Sequence, residues 1–154
     1  MIRTIFKILA SVILLTLTLV SCEEDKISTD TSLRLKFSSD TVRFDTIFTK
    51  QGSATYKLKV YNPSKNKVLI DKITLNGAEN YSMNVSGISA NVVNDTYLNA
   101  NDSLMIFIQV YIDPNDDKTP FIIRDSIDFF FNNHTQVLQL EAYGRNVKRF
   151  KNKI

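Results

Sequence analysis

Polar and apolar side chains alternate along much of the chain. In segment 55–61, Tyr56, Leu58 and Val60 share one side, and Thr55, Lys57, Lys59 and Tyr61 the other. A period of two predicts a half-buried strand. Asn62-Pro63-Ser64 then predicts a turn, because proline presets the backbone and cannot donate to a ladder. Segment 68–75 carries Val68, Ile70, Ile73 and Leu75; the step from 70 to 73 breaks the period and predicts a bulge near Asp71-Lys72. Leu104, Ile106, Ile108, Val110 and Ile112 fall in one phase, as do Phe121, Ile123, Ile127, Phe129 and Phe131. Leu138, Leu140 and Ala142 mark a strand over 135–143. Segments 33–37 and 41–48 read as shorter strands, and 81–85 and 92–98 as weaker ones.

No window after residue 22 sustains a 3.6-residue apolar period. Seven to nine short strands, separated by Asn, Asp, Gly and Pro, predict an all-β, immunoglobulin-like antiparallel β-sandwich over residues 33–144. Its expected core is Phe44, Tyr56, Leu58, Val60, Ile73, Ile106, Ile108, Val110, Phe129 and Leu140.

The N-terminus follows a different rule. Arg3 and Lys7 precede an uncharged run, Ile8 to Val20, which as a helix spans about 20 Å. That is short of the roughly 30 Å hydrocarbon core and fits a secretory signal. Leu19-Val20-Ser21-Cys22 resembles the lipobox of bacterial lipoproteins. The resemblance implies a diacylglycerol on the Cys22 sulfur, cleavage after Ser21 and acylation of the new amine. Residues 1–21 are then a signal peptide and 22–32 a lipidated cysteine with a polar tether. Glu23-Glu24-Asp25 resemble the acidic surface-export signal of Bacteroidota lipoproteins, which implies the outer membrane and its exterior face.

Composition narrows the chemistry. One Cys and one His exclude an internal disulfide and the usual Cys- or His-based metal centres. The chain carries 19 basic and 16 acidic side chains. Loss of Arg3 and Lys7 with the signal brings it near neutrality, which argues against a nucleic-acid partner. No cofactor is expected. Asp113, Asn115 and Asp117 alternate as calcium ligands do, but Lys118 stands where such a loop needs Gly, so a turn is expected and no metal. His134, after Asn132-Asn133, reads as a solvated turn residue. Asp45, Asp125, Asp128 and Glu141 could pair for glycoside hydrolysis, yet nothing separates them from surface acids. The chain is expected not to be an enzyme.

Residues 35–48, 56–63, 120–127 and 140–144 resemble a Bacteroidota lipoprotein family, and the pattern is similar to ASH-type and choice-of-anchor immunoglobulin-like domains. In longer members this module precedes a right-handed parallel β-helix, so the resemblance implies a fold and a location more than an activity. Asp-hydroxyl-aliphatic triplets at Thr41, Thr46, Ser103 and Ser126 resemble the O-glycosylation sequon of exported Bacteroidota proteins.

Met105, Phe107 and Tyr111 lie out of phase with the inner row of their strand, as does Phe130 of its own. If the two strands are neighbours, they present a partner surface, unless segment 77–100 covers it. The tail 145–154 holds five basic residues and reads as a contact for anionic lipid, as a frayed end, or as the start of a further domain. The expected role is a lipid-anchored, non-catalytic binding or scaffolding module whose partners are the membrane and a protein or glycan. Two alternatives stand beside it. One is a carbohydrate-binding accessory of a polysaccharide-handling system, which solvent-facing aromatics in a shallow groove would favour. The other is a truncated remnant of a longer β-helix lipoprotein.

Overall fold

The computed structural model describes Arg3 and residues 26–48, 52–53, 55–112 and 121–145. Among the described residues ten strands form: β1 (Lys36–Phe37), β2 (Thr41–Phe48), β3 (Tyr56–Tyr61), β4 (Val68–Leu75), β5 (Tyr81–Val85), β6 (Ile88–Ser89), β7 (Val92–Leu98), β8 (Ser103–Val110), β9 (Phe121–Phe131) and β10 (His134–Arg145). They build two five-stranded sheets, ordered β1-β3-β8-β5-β6 and β2-β10-β9-β4-β7. The first contains the A-B-E-D order of an immunoglobulin sandwich in β1-β3-β8-β5, and the second its C-F-G order in β4-β9-β10.

The alternation read from the sequence sets the layers. Leu58 and Val60 of β3, Ile106, Ile108 and Val110 of β8, Ile127, Phe129 and Phe131 of β9, and Leu138, Leu140 and Ala142 of β10 are buried between the sheets. All ten expected core residues lie there, Tyr56 only half-buried. The expected bulge sits at Asp71, where the β4–β9 register shifts between Ile70 and Lys72.

Three details depart from expectation. Ten strands form rather than nine at most, because Ser86 and Gly87 both adopt positive φ (48° and 99°) and return the chain as β6. The sandwich is not wholly antiparallel: after Ser38–Asp40 the chain crosses to the second sheet, and β2 runs parallel to β10. Segment 33–37 is strand only at Lys36–Phe37. Upstream, the Leu35 N–H donates to Gln136 Oε1 (3.0 Å) and the Leu35 carbonyl accepts from Gln136 Nε2 (2.8 Å). A side-chain amide there takes the place of a neighbouring strand.

The sandwich has two poles. One gathers the turns at 62–67, 99–102 and 132–133. The other gathers segment 76–80, the start of β9 and the end of β10 at Arg145. Residues 26–28, expected as loose tether, join the first pole. Ile27 pairs in parallel with Lys67. The Ser28 N–H donates to the Lys67 carbonyl (2.7 Å), and the Lys67 N–H to the Lys26 carbonyl (3.0 Å). Asn132 Nδ2 donates to the Asp30 carbonyl (2.8 Å), and Ser28 is buried. Backbone groups of a short polar segment have found ladder partners beyond the tip of β9, which composition alone does not reveal.

Asn62 is the most buried polar residue of this pole, 1% exposed. Its Nδ2 donates to the carbonyls of Asn66 (2.8 Å), Leu98 (3.1 Å) and Asn99 (2.9 Å), and its Oδ1 accepts from the Ser64 N–H (2.9 Å). One side chain thereby ties the β3–β4 turn to the β7–β8 turn. At the opposite pole Gly77 lies against the Asp125 side chain; a Cβ there would come within 2.6 Å of Asp125 Cβ, which only glycine avoids.

Candidate functional site

On the outer side of β8, Met105 and Phe107 are half-buried, Gln109 is exposed, and Tyr111 just beyond the strand is 47% exposed. Met105 stands opposite Lys59, and Phe107 between Lys57 of β3 and Asn84 of β5. Segment 81–89 does not cover this row. It extends the sheet beside it as β5 and β6. Phe130, 40% exposed, belongs to β9 in the other sheet and faces away. The four expected surface residues therefore do not form one patch: Met105, Phe107 and Tyr111 share a face, and Phe130 stands alone. Period two fixes which side of its own strand a residue takes, but not which strand lies beside it.

Two adjoining depressions flank the β8 row. One, of about 340 Å³, is lined by Thr55, Ser82, Met83, Asn84, Ser89, Phe107 and Gln109. The other, of about 360 Å³, contains Asn80, Glu79 and Tyr111 and shares Ser82 and Gln109 with the first. Gln109 Nε2 donates to Thr55 Oγ1 (2.7 Å). Asn84 Nδ2 donates to Ser89 Oγ (2.8 Å), while its Oδ1 accepts from the Gly87 N–H (2.8 Å). Thr55, Ser82, Asn84 and Ser89 were not among the expected site residues. The signal that could have found three of them is the polar phase of segments 55–61 and 81–85, with Thr55 in the first and Ser82 and Asn84 in the second.

The outer face of the second sheet is organised by charge. Glu141 of β10 lies between Arg43 of β2 (Nε–Oε2 3.2 Å) and Arg124 of β9 (Nε–Oε1 2.9 Å), both opposite it in register. The hydrogen bond from Arg124 lowers the Glu141 carboxyl below its ordinary value, with Arg43 adding to the effect. A carboxylate held ionised in this way is a poor proton donor for glycosidic chemistry. The stabilisation is present above the ordinary carboxylate range and is lost as pH falls through the lowered folded-state value. Glu141→Gln is expected to lower Tm slightly at pH 7, the arginines being solvent-exposed. The difference from the unaltered protein should narrow as the pH falls below the ordinary carboxylate range. Melting curves across that range check it, and a gap that stays constant would count against the triad.

The other expected acids take part in local hydrogen bonds, Asp128 Oδ1 accepting from Ser126 Oγ (3.3 Å). Asp45 Oδ1 accepts from the Thr46 N–H (2.7 Å), and Asp125 Oδ1 from the Ser126 N–H (2.8 Å). Asp102 Oδ1 treats Ser103 alike (2.7 Å). Of the four hydroxyl candidates, Thr46 is exposed, whereas Thr41, Ser103 and Ser126 are half-buried. Ser126 Oγ also accepts from Asn76 Nδ2 (2.9 Å), so Thr46 is the most accessible to a modifying enzyme. His134 opens β10 and follows a turn in which Asn132 and Asn133 both have positive φ. It is half-buried, its Nε2 lies 3.2 Å from Arg34 Nη1, and its ring is 4.3 Å from that of Phe131. Tyr81 Oη donates to the Ile123 carbonyl in the other sheet (3.1 Å). Burial first, then the charges of Asp125 and Glu141, push its phenol above the ordinary range.

Leu19, Val20, Ser21, Cys22, Glu23, Glu24 and Asp25 lie outside the described residues, as do Asp113, Asn115, Asp117 and the tail beyond Arg145. Among the described residues, no group of three or more His, Cys, Asp and Glu is placed to hold a metal.

The chain is thus an immunoglobulin-like sandwich with a polar, aromatic-edged groove on one sheet and an ion-paired face on the other. No family model and no curated protein matches it. Among solved structures, it is similar to a protein of unknown function from Porphyromonas gingivalis W83, with TM-score 0.53 and 8% identity over 79% of this chain and 49% of that one. It is also similar to part of a family 123 glycoside hydrolase from Clostridium perfringens, with TM-score 0.51 and 11% identity over 75% of this chain and 28% of that one. The chain spans about half the length of the first and just over a quarter of the second. At these identities the likeness is one of fold.

Proposed function

We propose that this protein is a lipid-anchored component of the cell envelope whose sandwich is a non-catalytic binding module, carried on the outer membrane and facing the exterior. The observation that favours this reading most is where the chain joins the domain. Lys26 pairs at one pole, four positions after Cys22, and four residues reach at most about 14 Å. A lipid on Cys22 would therefore hold that pole close to the bilayer. β10 runs from that pole toward the other for 12 residues, about 40 Å. The second pole and the sheet faces beside it would then stand clear of the headgroups. Two or three acyl chains on one residue give the durable anchoring that a single chain does not. Glu23-Glu24-Asp25 beside the lipid favour an extended exit from an anionic surface.

Metabolic labelling with a clickable fatty acid tests the anchor. The native chain should take up label and float with membranes, and Cys22→Ala should do neither. Label absent from both, or present equally in both, would overturn the anchor. Protease digestion of intact cells separates an exterior location, where the domain is cleaved or shed, from a periplasmic one, where it is protected.

A further inference from the structure

We propose that the groove along β8 is a binding site for a neutral oligosaccharide, an inference that rests on reading the domain as a binding module and names its ligand class. Phe107, Gln109 and Tyr111 succeed one another on the outer side of the strand, an amide between two aromatic rings spread over about 13 Å. The two depressions share Gln109 and Ser82, so the Phe107 and Tyr111 rings lie on either side of that polar pair. The walls are hydroxyls and amides. Gln109 and Asn84 are already oriented by hydrogen bonds to Thr55 and Ser89, which reduces the ordering that a ligand must impose. Gln109 Oε1 accepts no hydrogen bond from the described residues, so it can accept one from a ligand hydroxyl.

Other occupants fit less well. No ionised side chain lines the half around Phe107, but Lys57 stands opposite Phe107 on β3 and Glu79 lines the other half, so charges of both signs border the groove and favour neither an anion nor a cation. An apolar partner would strip water from Ser82, Asn84 and Gln109 without replacing it. A peptide adding as a strand needs an open sheet edge, and β8 is paired on both sides, by β3 and β5. A molecule with many hydroxyls and flat C–H faces satisfies the amides and the rings together. The Tyr111 end of the groove lies at the pole opposite Lys26, away from the proposed anchor.

The full-length lipoprotein, purified in detergent, would be screened against an array of neutral and charged oligosaccharides, and hits titrated by calorimetry. A neutral hit should bind about tenfold more weakly to Gln109→Ala and to Tyr111→Ala, or about 1.4 kcal/mol each. Both variants should melt as the unaltered protein does, because both side chains are exposed. Tyr143→Ala, an exposed aromatic on the other sheet, should leave binding unchanged. Binding of no neutral oligosaccharide, binding of charged glycans alone, or a neutral hit indifferent to Gln109 and Tyr111 would each overturn the site. Fatty-acid labelling of Cys22 is read on the same preparation, so loss of the groove and loss of the anchor give separate results.

Discussion

Phe129→Ala is expected to destabilise the domain by about 3–5 kcal/mol, the range for deleting a large buried aromatic. Phe129 is 0% exposed at the centre of β9, and its ring lies 5.0 Å from that of Phe37 on the opposite sheet. Its β9 position is paired on both sides, to Gln136 of β10 and Ile73 of β4. Strands held on both sides cannot close over the space left by the ring, so the cavity cost adds to the lost transfer energy. Against a total stability of about 5–15 kcal/mol, that removes a large share. Phe130→Ala is the matched control: the next residue, the same side chain, 40% exposed on the outer face. It should cost less than about 1 kcal/mol. Urea unfolding of both variants checks the pair. The midpoint should drop sharply for Phe129→Ala and barely for Phe130→Ala, with unchanged slopes. Equal losses would mean that the strand faces are wrongly assigned.

Asn62→Ala is expected to cost about 2–4 kcal/mol by a different route. Truncation leaves the carbonyls of Asn66, Leu98 and Asn99 and the Ser64 N–H without the partner they have now. The amide has two protons for three carbonyls, so one is shared, and all three acceptors lose when it is removed. A buried group left without a partner costs about 1–3 kcal/mol, and here part of the loss is relieved by water reaching the half-exposed turn. The damage should concentrate at the β3–β4 and β7–β8 turns. Hydrogen exchange should show faster opening of the Ser64 and Asp102 region, with the centre of β9 still among the slowest. Asn99→Ala keeps its backbone carbonyl and should be close to neutral, because the knot uses that carbonyl and not the Asn99 side chain. A near-neutral Asn62→Ala would show that the knot carries no stability.

The contrast between Phe129 and Phe130 is legible in the sequence. Their fates follow from strand parity, and parity is a property of a few consecutive residues. The same local rule placed β2, β4, β5, β7 and β9 at their observed limits and located the bulge at Asp71. It also separated Leu104, Ile106, Ile108 and Val110 from Met105, Phe107 and Gln109 on β8. Asn62 was legible only as a turn residue. Two of its three acceptors, the carbonyls of Leu98 and Asn99, lie 36 and 37 positions away, and nothing near it in the chain announces them.

Apart from β6 and the limits of β1, the sequence by itself determined the strands and which side of each is buried, and it marked the segment around Cys22 as different in kind from the rest. Tertiary structure alone decided that β8 and β9 lie in different sheets, that β2 pairs in parallel with β10, and that residues 26–28 bind the pole of the sandwich. It also decided that Thr55, Ser82, Asn84 and Ser89 meet Phe107 and Gln109 around one groove. The reason is that alternation repeats every second residue and needs only neighbours along the chain. Pairing between strands joins backbone groups far apart in sequence, and any strand of suitable pattern can satisfy them. Which strand does so is settled only when every buried face and every N–H and C=O must be matched at once.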